Sequence, residues 1–409
     1  MESLRNWSWR LAILALPWQT RYILFSLPTP EAGYQTEWGI YAIYASWILI
    51  IIAWVFSLSR TAPRVVVPKS VWLILALLVL PIVLTHTTYS LQFLAQLIAL
   101  VLLVDALRRN HVSRADASAW FLLSLVPHIL LAVTQFDTQS ISANKWLGIS
   151  AQNPIESGVS VIGDSRVLRA YAGFSHPNIA GMWFALGLGA SLWLLRRSEI
   201  RWQIILAWLM CAALPIGIVL TFSRSAWLTT FVIVALFLAK ILRRPIDVYA
   251  LRSIILVILC TLIGIIPVLP LVMSRANTVP SIENQSLEER SATWKNIWPV
   301  IGQSPIIGHG LGSSAKIMSI NGLGNQPPHA LPLVVLLEVG LMGLCVLGIT
   351  LLLLWRAGDT ITRCLLIALS IPALTDHYLW SLWSGQILAT FCMIWFFLIR
   401  RSIDKKIKY

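Results

Sequence analysis

The chain has 409 residues, 57% hydrophobic and 12% charged, and its 31 Lys and Arg against 17 Asp and Glu leave a net charge of +14. That charged fraction excludes an ordinary soluble globular domain, in which about one quarter of residues are charged. The basic excess could suit nucleic acid or anionic lipid, so its placement along the chain has to decide.

Apolar runs recur from end to end, and a run of about 17 to 25 residues crosses a hydrocarbon core of about 30 Å as a helix. Twelve spans are predicted, at about 11–28, 38–58, 71–86, 91–107, 117–135, 179–195, 202–222, 226–242, 251–273, 330–355, 361–374 and 382–399. The first, which contains Pro17, Gln19 and Arg21, and the short eleventh are the weakest. In lipid a helix satisfies every backbone N–H and C=O within one segment, so the expected fold is an all-α polytopic membrane protein, one integral membrane domain over 1–409. No small-residue cleavage site follows the first apolar run, which is therefore expected to be retained. All five cysteines fall in predicted spans, and an odd number there makes no disulfide framework.

With both termini placed in the cytoplasm, the inner segments hold 22 of the 31 Lys and Arg, from Arg5 and Arg10 to Lys408. Every inner connection is then basic, as the positive-inside rule requires. The charge is a topology signal, with membrane lipids rather than nucleic acid as its partner.

Two connections are long, 136–178 and 274–329, and both fall outside. Long loops in a compact protein usually carry function. Within the second, residues 285–301 (QSLEERSATWKNIWPVI) space Leu287, Trp294, Ile297, Trp298 and Ile301 as on a helix, expected to lie in the membrane interface. Arg290 projects from the apolar side of that helix.

Nine basic residues lie outside the inner set: Arg21, Lys145, Arg166, Arg169, Arg224, Arg275, Arg290, Lys295 and Lys316. A guanidinium grips phosphate oxygens with paired hydrogen bonds, so several converging at the outer surface would suit a lipid-linked diphosphate. Taken singly, each is equally served by snorkelling or a salt bridge. Arg224, in LTFSRSAW, sits at a tight corner between two spans, where a charge needs an anionic partner. Arg166 and Arg169 are three apart and share a face if that stretch is helical. They precede GFSHPN, in which Pro177 and Asn178 read as the start of a span.

His329 lies in QPPHALPLVVLLEVGLMG, at the outer mouth of the tenth span, and an imidazole with a pKa of about 6.5 can take a proton from a sugar hydroxyl. The alternative is a histidine bonded to backbone at a helix start. Glu338, nine residues on, falls on the opposite helical face and is expected to pair with a polar group inside the bundle. His86, His176, His309 and His377 also map outside, and Asp376 beside His377 could add a carboxylate. No histidine pair has metal-site spacing, and no nucleophile elbow, phosphate loop or C-x-x-C is present, so no metal or cofactor is expected.

The segments RVLRAYAGFSHPN, LTFSRSAW, EERSATWKNIWPVIGQSPIIGHGLG and PPHALPLVVLLEVGLMG, in that order over 166–345, resemble the signatures of the O-antigen ligase family, which also includes O-antigen polymerases. The resemblance implies a membrane glycosyltransferase of GT-C-like architecture, with about twelve transmembrane helices and a periplasmic loop carrying amphipathic helices, in the bacterial inner membrane. Its members move a glycan from undecaprenyl diphosphate on the periplasmic face, without a metal and with inversion. The acceptor is a sugar hydroxyl of the lipid A core in a ligase and a second lipid-linked glycan in a polymerase. On the matching positions it implies His329 as the catalytic group, with Arg224, Arg290 and one of Arg166 and Arg169 on the diphosphate. Trp294, Arg275, His176, Asp376 and His377 are accessory candidates. Two features depart from a simple ligase: Ala330 follows the histidine where a small polar residue is common, and DHYLWSLWSGQ reads as a polymerase-type ending. A transporter or flippase is the reading from a different class, and it would place charges at midspan rather than at span ends.

Overall fold

The computed structural model describes residues 2–26, 39–60, 88–156, 158–163, 165–242, 248–276 and 291–398. Among the described residues, seven helices are long and apolar enough to cross a membrane: Ser90–Arg109, Arg114–Thr138, Pro177–Arg197, Arg201–Thr221, Arg224–Ile241, Val248–Ser274 and Leu331–Ala357. The predicted span 71–86 lies outside the described residues. Two more predicted spans are shorter apolar helices, α2 (Ala45–Ser57) and α13 (Thr360–Thr375).

The first predicted span is corrected. Helix α1 (Glu2–Ala15) stops just before Pro17, and β1 (Arg21–Ser26) pairs antiparallel with β2 (Ile40–Tyr44), which leads directly into α2. The sequences RYILFS and IYAIY are aromatic and β-branched, a composition that fits a pleated surface as well as it fits lipid. The all-α expectation therefore gives way to a mostly helical chain with two small hairpins. The second, β3 (Val161–Ile162) with β4 (Val167–Leu168), lies in the loop after α4 (Arg114–Thr138).

Helix α5 (Pro177–Arg197) is the centre of the bundle, with 15 of its residues buried. It packs most extensively on α6 (Arg201–Thr221) and also on α4 and α7 (Arg224–Leu242). Its approach to the α6–α7 corner depends on Gly181, where a Cβ would lie 2.7 Å from Cβ of Ala226 and 2.8 Å from Oγ1 of Thr221. Small residues at such contacts let helix backbones come close.

Helix α12 (Leu331–Ala357) is broken at Gly340, whose φ of 67° and ψ of −165° are non-helical. The freed backbone groups are taken up by residues 305–310 running alongside. Leu341 and Met342 donate to the carbonyls of Pro305 and Ile306 at 2.8 and 3.1 Å, while His309 and Gly310 donate to those of Leu337 and Glu338 at 2.8 and 2.9 Å. Irregular backbone at a membrane span is tolerated only when protein satisfies it in this way.

The described part of the predicted 285–301 helix is helical over 291–296 and again in α10 (Trp298–Ile301), with a bend at Ile297. Ile297, Val300 and Ile301 are buried on Met318, Leu333 and Leu337, whereas Trp294 and Trp298 are exposed. This cluster also contains Ala330, so the residue after His329 serves packing. Chain order then continues through α13, α14 (Tyr378–Ser381) and α15 (Trp383–Leu398).

Candidate active site

Three separate stretches of chain meet around Asp376. This residue follows the last turn of α13 in extended conformation, and its own N–H caps the helix by donating to the Pro372 carbonyl at 2.8 Å. Its side chain is buried, with Oδ1 accepting from the His377 backbone N–H at 2.8 Å and Oδ2 from Nδ2 of Asn178 at 3.1 Å. Two imidazoles flank it: Nδ1 of His329 lies 3.6 Å from Oδ1 and Nε2 of His377 lies 3.8 Å from the same atom. The two rings are 5.4 Å apart.

The histidines differ in access. His377 is buried and its Nδ1 is 2.6 Å from Oγ of Ser381, whereas the His329 side chain is 30% exposed. His329 Nδ1 is buried with no hydrogen-bond partner, so its nearest anchor is the Asp376 carboxylate. Burial pushes the Asp376 carboxyl upward, but its contact with His329 and the charges of His377 and His329 outweigh that and hold it well below the usual carboxylate range. Asp376 is thus an anion at neutral pH, able to orient an imidazole and stabilise its protonated form.

The carboxylate is positioned from behind. Asn178, in the first turn of α5, accepts from Nη2 of Arg169 at 2.8 Å, and Nε of Arg169 donates to the Thr221 carbonyl at 2.8 Å. Arg169 therefore ties the loop before α5 to the α6–α7 corner, and through Asn178 to Asp376. His176 is the N-cap of α5, with Nδ1 accepting from Asn178 N–H at 3.1 Å and Nε2 2.9 Å from Oγ of Ser160. Burial, reinforced by Arg169, lowers its pKa to about 3, so it is a neutral structural group.

The expected helical pairing of Arg166 with Arg169 is corrected. Arg166 and Arg169 instead flank the two-residue strand β4, Arg166 has a φ of 52°, and its guanidinium binds the carbonyls of Pro154 at 2.6 Å and Glu156 at 2.8 Å. Arg166 therefore braces the loop, whereas Arg169 reaches the bundle. Arg224 opens α7 and is exposed, three residues after Thr221. Trp294 is half-exposed on the 291–296 segment. Arg290 and the Arg275 side chain lie outside the described residues.

Glu338 pairs inside the bundle, as expected for its face of the helix. Its Oε2 accepts from Gly312 N–H at 2.9 Å and from Nε1 of Trp380 at 2.8 Å, and its Oε1 from Ser314 N–H at 3.3 Å. It locks the break in α12 to α14, and hence to His377. Spacing alone could not have found the Asn178–Asp376 contact, which joins residues 198 apart. Among the described residues, His329, Asp376 and His377 are also the group able to meet on a cation, with one donor atom from each within 4.8 Å of the others.

Residues 205–348 match the family model described as O-antigen ligase, which supports assigning the chain to that family. No curated protein matches the chain. The matched segment contains Arg224, Arg290, His329 and Glu338, while Arg169, Asn178, Asp376 and His377 are brought to it by the fold.

Proposed function

We propose that this chain, an O-antigen ligase family member by its 205–348 segment, transfers a glycan from undecaprenyl diphosphate to a sugar hydroxyl of the lipid A core. The family match supports a multi-pass membrane protein of ligase or polymerase type in lipopolysaccharide biosynthesis. The observation that carries the finer reading is a partly exposed imidazole, His329, held against a buried carboxylate, Asp376. A base needs access to its proton donor and an anion behind it, and this pair has both.

In the proposed reaction the acceptor hydroxyl gives its proton to His329 as its oxygen bonds to the anomeric carbon from the face opposite the diphosphate. The anomeric carbon–oxygen bond breaks, and the electron pair leaves with undecaprenyl diphosphate. Arg224 and Arg290 hold the diphosphate and stabilise its growing charge. Arg169 keeps Asn178 and Asp376 in place, because its guanidinium bonds the Thr221 carbonyl and Asn178. With the basic inner ends in the cytoplasm, this end of the bundle faces the periplasm.

Purified full-length protein, incubated with lipid-linked donor and core acceptor, should give glycan-bearing core and free undecaprenyl diphosphate. Donor alone should give neither. Longer lipid-linked chains from donor alone would identify a polymerase using the same groups, and no consumption of donor in either mixture would reject glycan transfer.

A further inference from the structure

The end of the bundle opposite His329 contains a cavity of about 420 Å³ between α5, α7, α13 and α15. This is the size range of sites that hold small ligands. Its walls include Leu186, Ile233, Leu236 and Phe391, and its rim carries Arg196, Arg197 and Lys240. Arg197 is 19 residues beyond Asn178 on α5, so the rim lies roughly 28 Å from the Asp376 cluster at about 1.5 Å per residue. Its occupant is therefore not the reacting group.

The polar groups at this cavity are one-sided. Among the described residues none that lines it is acidic. The nearby Asp359 is already held by Nη1 of Arg114 at 3.2 Å and by the backbone N–H of Thr362 at 2.9 Å. Lys240 feels the like charges of Arg197 and Arg196, and Arg114 that of Arg197. The cavity wall also includes Trp193 and Trp395, whose indole N–H groups are buried without a hydrogen-bond partner, and Trp395 is only 5% exposed. Cations on a cavity without acidic lining among the described residues call for a ligand that carries negative charge. The apolar walls call for a hydrocarbon chain on the same molecule. Basic pockets between membrane helices bind anionic lipid headgroups.

We propose that this cavity is a binding site for an anionic phospholipid, its phosphate on Arg197 and Lys240 and its acyl chain among the apolar walls. Native mass spectrometry of the delipidated full-length protein tests it. Phosphatidylglycerol should bind at least fivefold more tightly than phosphatidylethanolamine. The Arg197→Ala/Lys240→Ala variant should lose that preference, and Cys364→Trp, which fills the cavity without touching its charges, should weaken phosphatidylglycerol about tenfold. Equal binding of the two lipids, or unchanged binding in Cys364→Trp, would overturn the site. Displacement of the lipid by an equal concentration of inorganic phosphate would also overturn it, by showing an anion site without a lipid chain.

A readout on the unmodified protein guards against variants that fail to fold. Cys364 lines the cavity, so phosphatidylglycerol should slow its alkylation by N-ethylmaleimide at least fivefold, while phosphatidylethanolamine should not. Equal labelling rates in both lipids reject the proposal.

Discussion

At one end of α5, Arg169 is buried, with its guanidinium on the Thr221 carbonyl and the Asn178 amide; at the other, Arg196 and Arg197 line a cavity with Lys240 and, among the described residues, no acidic wall. The residue type is the same, but the partners differ, and so does the work. A guanidinium bonded within the protein holds a scaffold in register, whereas cations lining a cavity are placed to meet an anion, as proposed for this one. The same distinction sorts the outward arginines of the sequence. Arg166 braces its own loop and Arg169 ties its loop to the bundle; the proposed reaction assigns the diphosphate to Arg224 and Arg290.

The largest effect should come from breaking the scaffold under the site end. Gly340→Ala forces a side chain into the Ile306 backbone at a φ of 67°, and should cost about 3 kcal/mol or more, read as a lowered melting temperature. A wild-type melting curve for that variant would show that the α12 break is not a constraint. Asp376→Asn keeps the shape but removes the charge behind His329. It should lower kcat roughly 100-fold with little change in KM. A variant with normal kcat would separate Asp376 from the chemistry.

At the opposite end the expected losses concern stability and are smaller. Asp359 caps α13 by accepting from Thr362 N–H at 2.9 Å and also holds Arg114, so Asp359→Ala should cost about 1 kcal/mol. Denaturation in mild detergent measures it, and a loss of transfer larger than the loss of folded protein would contradict the division between the two ends.

The remaining effect is a pH dependence at the site end, absent at neutral pH and growing only on acidification. Unfolded His176 takes a proton near pH 6.5, but in the folded protein it resists until about pH 3. The unfolded state therefore binds more protons in that window, and His176 contributes stability that falls as pH drops from about 6.5 towards 3. His176→Asn, which can still cap α5, should flatten the acid side of a melting-temperature profile. An unchanged slope would assign the acid sensitivity to another group.

The helices were largely legible in the sequence because lipid imposes a length and a composition on any span. Helix α5 over Pro177–Arg197 and α6 over Arg201–Thr221 lie within a few residues of the expected 179–195 and 202–222. The β1–β2 hairpin was not legible, because RYILFS and IYAIY are apolar enough to pass for span residues. Nor was the break at Gly340, since it is fixed by a loop some thirty residues earlier. His329 stood out through its place at a helix mouth, and Asp376 and His377 through their position after a span. Their meeting was invisible, because the contact depends on where the start of α5 and the end of α13 come together in space.

The most direct test of the account is the transfer rate of purified His329→Ala at saturating donor and acceptor, with its melting temperature shown to match the unmodified protein. Loss of the base should lower the rate by about 100-fold or more. Glycan transfer at the unmodified rate would remove the imidazole from the reaction and leave the Asp376 cluster as a purely structural joint.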